Sequence, residues 1–197
     1  MKRFQFSLVL LLSLALSGPV VASDWTIDRS HTSVQFKIRH MMVSWVRGNF
    51  DKVSGTVFLD HKNLAASKVN VTIEAASVDT DNERRDKHLR NEDFFDVEKY
   101  PEITFVSREA RSVSKDSFEL VGDLTLHGTT REVVMVVKDV AAPVKSPWGG
   151  LKSGASASFE IRRSDFGMTY QKPLASGGLV VGDEVKINID VELNGPK

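Results

Sequence analysis

The chain has 197 residues, 41% of them hydrophobic, with 26 basic and 26 acidic side chains and no cysteine. The missing thiols exclude disulfide bracing, thiol redox chemistry and thiolate metal sites, so stability must come from packing and strand pairing. An even charge balance argues against nucleic acid as a partner, which calls for a basic face.

The first segment reads as a secretory signal. Lys2 and Arg3 precede the apolar run Leu8 to Leu16, and Val20-Val21-Ala22 has the small-residue form of a cleavage site, which predicts a cut after Ala22. The run is shorter than the roughly 20 residues that span a bilayer, so no transmembrane segment is expected in the mature chain. Residues 23–197 then form one domain with a sizeable core. Without Lys2 and Arg3 they carry 24 basic against 26 acidic side chains, a net charge of −2. The signal predicts export to the periplasm of a two-membrane bacterium, with release to the medium as the lesser option.

From there, alternation with a period of two dominates and predicts half-buried strands. A short strand at Trp25 to Ile27 is followed by Val34, Phe36 and Ile38 alternating with polar partners. Val53, Gly55, Val57 and Leu59 form the next series, and Val69, Val71 and Ile73 the one after. The stretch MMVSWVRGNF between the second and third series reads as a loop, with Trp45, Met41 and Met42 as apolar contacts at a barrel mouth. Thr80 to Arg90 breaks the pattern. It is polar and helix-favouring, with Thr80 and Glu83 at capping-box spacing. Leu89, Phe94 and Phe95 supply an apolar end that pins this helix or lids an opening. Further strands open at Ile103 and Phe105, run from Phe118 to Leu126, and follow at Val133 to Val137, Ala155 to Ile161 and Val185 to Val191. Ser114 to Ser117 and His127-Gly128 sit between strands as hairpin turns.

About eight strands, hairpin turns and one short helix predict an all-β fold, an antiparallel barrel whose closure removes exposed edges. A barrel of that size is filled by side chains or holds one small ligand. The inward series mix bulky residues (Phe36, Phe50, Phe105, Phe118, Met135, Phe159) with small ones (Gly55, Gly122, Ala155, Ala157), and a packed core does the same. On pattern alone a filled core is favoured.

Catalytic and metal motifs are missing. No GxSxG or HExxH occurs, and Asp86 and His88 are two apart on the predicted helix, where they do not face each other. His31 and His40 fall on opposite faces of a strand, and His61 and His127 fall in turns. No metal and no cofactor is expected. Arg84, Arg85, Asp86, His88 and Arg90 read first as a solvated helix face with internal salt bridges. The alternative is that Arg85 and His88 hold the polar or phosphorylated head of a ligand.

Five blocks together resemble the YceI-like family of lipocalin-like polyisoprenoid-binding proteins. They are WTIDRSHTSVQFKIRHMMVSWVRGNF (Trp25 to Phe50), VSGTVFLD (Val53 to Asp60), Lys68 to Phe105 with its SVDT, RDKHLR, FFD and YPEITF segments, GDLTLHGTTREV (Gly122 to Val133) and SDFGM (Ser164 to Met168). The resemblance implies an eight-stranded lipocalin-like barrel with a pore for a long amphiphilic lipid, a polyisoprenoid or isoprenoid quinone. It also implies dimers in some members. Pore-lining candidates are Phe36, Ile38, Trp45, Phe50, Phe94, Phe95, Phe105, Leu124, Met135 and Phe159, with Arg85 and His88 as headgroup candidates. The expected activity is binding or carriage. An enzyme acting on a lipid in the same cavity, and a packed barrel serving as an interaction or stress module, are the alternatives.

Overall fold

A computed structural model of the chain describes residues 23–175 and 177–196. The expected signal segment and its cleavage site lie outside the described residues. The chain opens with β1 (Ser23–Ile27), the hairpin of β2 (Ser33–His40) and β3 (Ser44–Phe50), then β4 (Val53–Leu59), β5 (Lys68–Glu74) and the two-residue β6 (Val78–Asp79). Helix α1 (Glu83–Arg90) follows. The rest is β7 (Glu102–Arg111), β8 (Phe118–Leu126), β9 (Thr129–Lys138), the short β10 (Val144–Lys145), β11 (Leu151–Arg162) and β12 (Val181–Asn194).

Eight of these strands close a ring in the order β1, β4, β5, β7, β8, β9, β11 and β12, every neighbour antiparallel and β12 returning to β1. The closing seam is the longest ladder, β11 on β12 from Lys152↔Asn194 to Arg162↔Glu184. β12 is long enough to serve two strands on its other edge. Its end takes β1 at Leu193 and Asn194, and its earlier part takes β2 from Asp190 to Val181. β2 and β3 thus prolong the wall past β1 at one end, where α1 sits beside β6.

The alternation in the sequence explains the wall. In β8 and β9 the inward set Phe118, Leu120, Leu124, Leu126, Val133, Met135 and Val137 is buried, and each contributes about 1.5–3 kcal/mol gross. His127 and Gly128 make a two-residue hairpin between the paired Leu126 and Thr129, with φ of 51° and 70°, the left-handed pair that matches strand twist.

Two local expectations are corrected. Ser44 to Phe50 is a strand, because Val46 and Phe50 continue the inward alternation opposite Ile38 and beside β6. The helix is capped by Asn82, whose side-chain oxygen accepts the Arg85 N–H at 2.9 Å, and no Thr80–Glu83 capping box forms. Thr80 is buried instead, with its amide and hydroxyl both donating to Asp86.

Candidate functional site

The barrel encloses an apolar cavity of about 450 Å³, within the 300–1,000 Å³ range of small-molecule sites. Its existence shows in the burial pattern. The inward residues of β8 and β9 are buried. Those of the neighbouring β11, of β12 and of β2 are only half-buried, although they also point inside: Phe36 and Ile38 on β2, Ala155, Ala157, Phe159 and Ile161 on β11, and Val185, Ile187, Ile189 and Val191 on β12. Their exposed surface faces the hollow.

Small residues keep the hollow open. A Cβ at Gly48 would lie 2.6 Å from Phe36 Cζ, and one at Gly122 would lie 2.5 Å from Phe105 Cζ. Each ring therefore occupies the space that a side chain at the neighbouring glycine would take. Ala155 and Ala157 leave further room on β11. The mixed sizes in the sequence thus belong to a lined cavity, and the filled core favoured by pattern alone is corrected.

The two ends differ. At one end the lining is Leu59, Ser67, Phe118 and Leu193, all buried, beside buried Trp25 and Leu64. At the other, where α1 packs, the half-buried Arg39, His40, Tyr170, Val180 and Val181 border the cavity. Charged and imidazole groups gather there. Among the described residues the imidazole and cationic residues at this end are His40, Arg85, His88 and Arg163, with Arg39 bordering the cavity but turning its guanidinium to the outer face, and no carboxylate lines the hollow.

Nine of the ten sequence-derived pore residues line this cavity: Phe36, Ile38, Phe50, Phe94, Phe95, Phe105, Leu124, Met135 and Phe159. Phe50 bridges Phe36 and Phe95 at ring distances of 5.7 and 5.6 Å. Trp45 is the correction. It pairs with Arg39 across the hairpin, so its ring lies on the outer face, with the Arg39 guanidinium 4.5 Å and Lys37 Nζ 5.3 Å from its centroid.

Arg85 and His88 both reach the cavity, and the expected face of internal salt bridges does not form. Arg85 donates from Nε and Nη2 to the Thr80 hydroxyl and carbonyl, each at 2.7 Å. Arg90 ties α1 to the carbonyls of Ala76 and Val78. His88 Nε2 is 2.7 Å from Asp93 Oδ2, and its ring meets Phe94 and Tyr170 edge-on.

Arg163 is the residue that sequence reading missed. It follows β11 directly, is 3% exposed and lines the cavity. Its Nε donates to Gly182 O at 2.8 Å and Nη1 to Met168 O at 2.7 Å, while Nη2 is buried with no partner. Burial pushes its guanidinium below the usual arginine range, partly offset by Asp183. A buried cation with an unused donor is costly unless an acceptor reaches it. The only signal in the sequence was the run Arg162-Arg163-Ser164-Asp165, where the strand's alternation ends.

The YceI-like domain description matches residues 25–193, nearly all of the described chain. Protein YceI of Escherichia coli O157:H7 is 41% identical over 196 residues, 98% of this chain and 97% of that protein. The chain belongs to the YceI family. Among solved structures, the YceI protein of Campylobacter jejuni is 34% identical with a TM-score of 0.67, covering 87% of this chain and 96% of that one. A polyisoprenoid binding domain from Saccharophagus degradans shares the fold at 16% identity and a TM-score of 0.64, over 87% and 98%. The closed barrel with helix α1 is thus the YceI-like, lipocalin-like fold.

One polar cluster of this YceI-like domain lies away from the cavity lining. Asp28, His31 and Glu192 bring three ligand-type atoms within 4.8 Å of one another. The Lys152 ammonium already sits between two of them, 2.5 Å from Asp28 and 2.7 Å from Glu192, so a cation of the protein's own occupies the place. Asp28 also accepts from the Ser30 amide and hydroxyl.

Proposed function

We propose that this protein is a periplasmic binding or carrier protein for a long-chain amphiphilic lipid, a polyisoprenoid or isoprenoid quinone. The observation that carries the reading is the half-buried apolar wall of β11, β12 and β2 facing a cavity whose cationic and imidazole groups gather at one end. A hydrocarbon tail gains roughly 0.8 kcal/mol per buried CH₂. That suffices for tight binding after the cost of ordering the chain is subtracted. The tail runs toward Leu59 and Leu193, and the head stays at the helix end, where the spare Arg163 donor favours a head rich in oxygen acceptors. The polyisoprenoid-binding function of the Saccharophagus degradans domain supports the tail chemistry.

The role proposed is retention of the lipid, with no bond made or broken. The test is extraction of purified mature protein with organic solvent, followed by mass spectrometry. A long-chain lipid at about one per chain is expected, with saturable rebinding of polyprenols or quinones to the stripped protein. Turnover of the added lipid would make the protein an enzyme. An empty extract without saturable binding would end the carrier reading. Cell fractionation and N-terminal sequencing test export, with Ser23 expected as the first residue.

A further inference from the structure

The hairpin between β2 and β3 carries the apolar residues Met41, Met42 and Val43 at its tip, exposed by 42%, 51% and 79%. Three adjacent exposed apolar side chains are unfavourable on a water-facing surface unless something covers them. The backbone adds to the cost. Met41 and Met42 hold φ of 50° and 62°, a left-handed conformation that non-glycine residues seldom adopt and that clusters at functional positions. The tip is also fixed at the rim of the cavity. Met41 N–H donates to Val180 O at 2.8 Å, and both Val180 and His40 line the cavity.

Behind the tip, the outer face of the same hairpin is basic. Lys37 lies directly opposite Arg47, a like-charge pair that disfavours the sheet. Arg39 and Lys37 flank the Trp45 ring. The neighbouring ladder pairs Lys186 with Glu160 and Glu184. Among the described residues none of Lys37, Arg39 and Arg47 has a carboxylate within ion-pair distance. Apolar tip, half-buried tryptophan and unpaired cations in that order match the depth profile of a bilayer surface: acyl boundary, interface, anionic headgroups.

We propose that the β2–β3 hairpin docks the barrel on an anionic phospholipid surface and holds the cavity rim against the membrane. The inference stands apart from the cavity reading, because a surface can dock whether or not the lumen holds a lipid. Trp148, 92% exposed on the β10–β11 hairpin, marks the opposite end of the barrel and serves as the control.

The experiment is co-sedimentation of the mature protein with vesicles of phosphatidylglycerol and phosphatidylethanolamine, against phosphatidylcholine alone, at low and high salt. The wild type is expected to bind the anionic vesicles and to be released by salt. Met42→Glu with Val43→Glu removes binding. Lys37→Gln with Arg47→Gln weakens it on the order of thirtyfold, about fivefold per charge. Met42→Gly, which relieves the left-handed backbone, raises the melting temperature while weakening binding, so lost docking cannot be taken for lost folding. Trp148→Ser binds as wild type. Lipid extracted from the same preparations reports the cavity separately and stays unchanged in the hairpin variants. No vesicle binding by wild type at low salt, tip variants that bind undiminished, or loss confined to Trp148→Ser would each overturn the inference.

Discussion

Arg163 shows how one side chain gives direction to an otherwise greasy tube. Two of its nitrogens hold the backbone at Met168 and at Gly182, where β12 begins, and the third, Nη2, has no partner at the helix end of the cavity. A charge-assisted hydrogen bond is worth about 1.5–3 kcal/mol. Arg163→Lys is therefore expected to weaken binding of a phosphorylated prenyl lipid by roughly tenfold or more. Binding of the corresponding hydrocarbon should change little. Titrating the two ligands in parallel checks this, since general loosening of the fold would weaken both alike. The same scale explains Asp28. The Lys152 ammonium and the Ser30 donors hold its carboxyl well below the ordinary value of 3.8. A depressed carboxylate stabilises the fold fully above that ordinary value, and the contribution is lost as pH falls through the folded one. Lys152 is shifted upward by the same contact, so its share is lost only as pH rises above 10.5. Lys152→Met should lower the melting temperature at neutral pH, and calorimetry should find that deficit shrinking as pH falls from 3.8 toward the depressed folded value of Asp28.

At the level of elements, the two walls of the barrel do different work. β8 and β9 interdigitate their inward side chains and act as the packed wall, while β11, β12 and β2 present surface to the lumen. Replacing Ala157 on the open wall by Phe should fill the hollow. Lipid retention in the extraction assay is expected to fall sharply, with thermal stability of the stripped protein held or raised. The corresponding change on the packed wall, Leu120→Ala, should cost about 2–5 kcal/mol and show in denaturant unfolding. Helix α1 contributes through its placement more than its own stability. It has eight residues, too few to persist alone, and is held by the Asn82 cap and by the Arg90 bonds to Ala76 and Val78. Asn82→Ala should cost about 1 kcal/mol, seen as a lower unfolding midpoint, and faster amide exchange in α1.

Across the whole molecule, the absence of disulfides leaves closure of the sheet to hold the barrel together, and a bound lipid adds to it. Stripping the lipid should lower the melting temperature, and restoring it at about a hundred times its Kd should return about 2.7 kcal/mol. The amino-acid sequence by itself determined the barrel, because strand faces repeat every two residues and that period can be read without knowing any neighbour. It also marked the helix, and it placed Phe36, Phe105 and Phe159 among the residues facing inside. Only the tertiary structure decided that the inside is hollow, since that depends on which glycine leaves space for which ring, as Gly48 does for Phe36. Pairing across the β2–β3 hairpin moved Trp45 to the outer face. Chain reversal after β11 brought Arg163 to the helix end of the cavity. These are contacts between segments far apart in the chain or set by pairing register, and local periodicity carries no information about either.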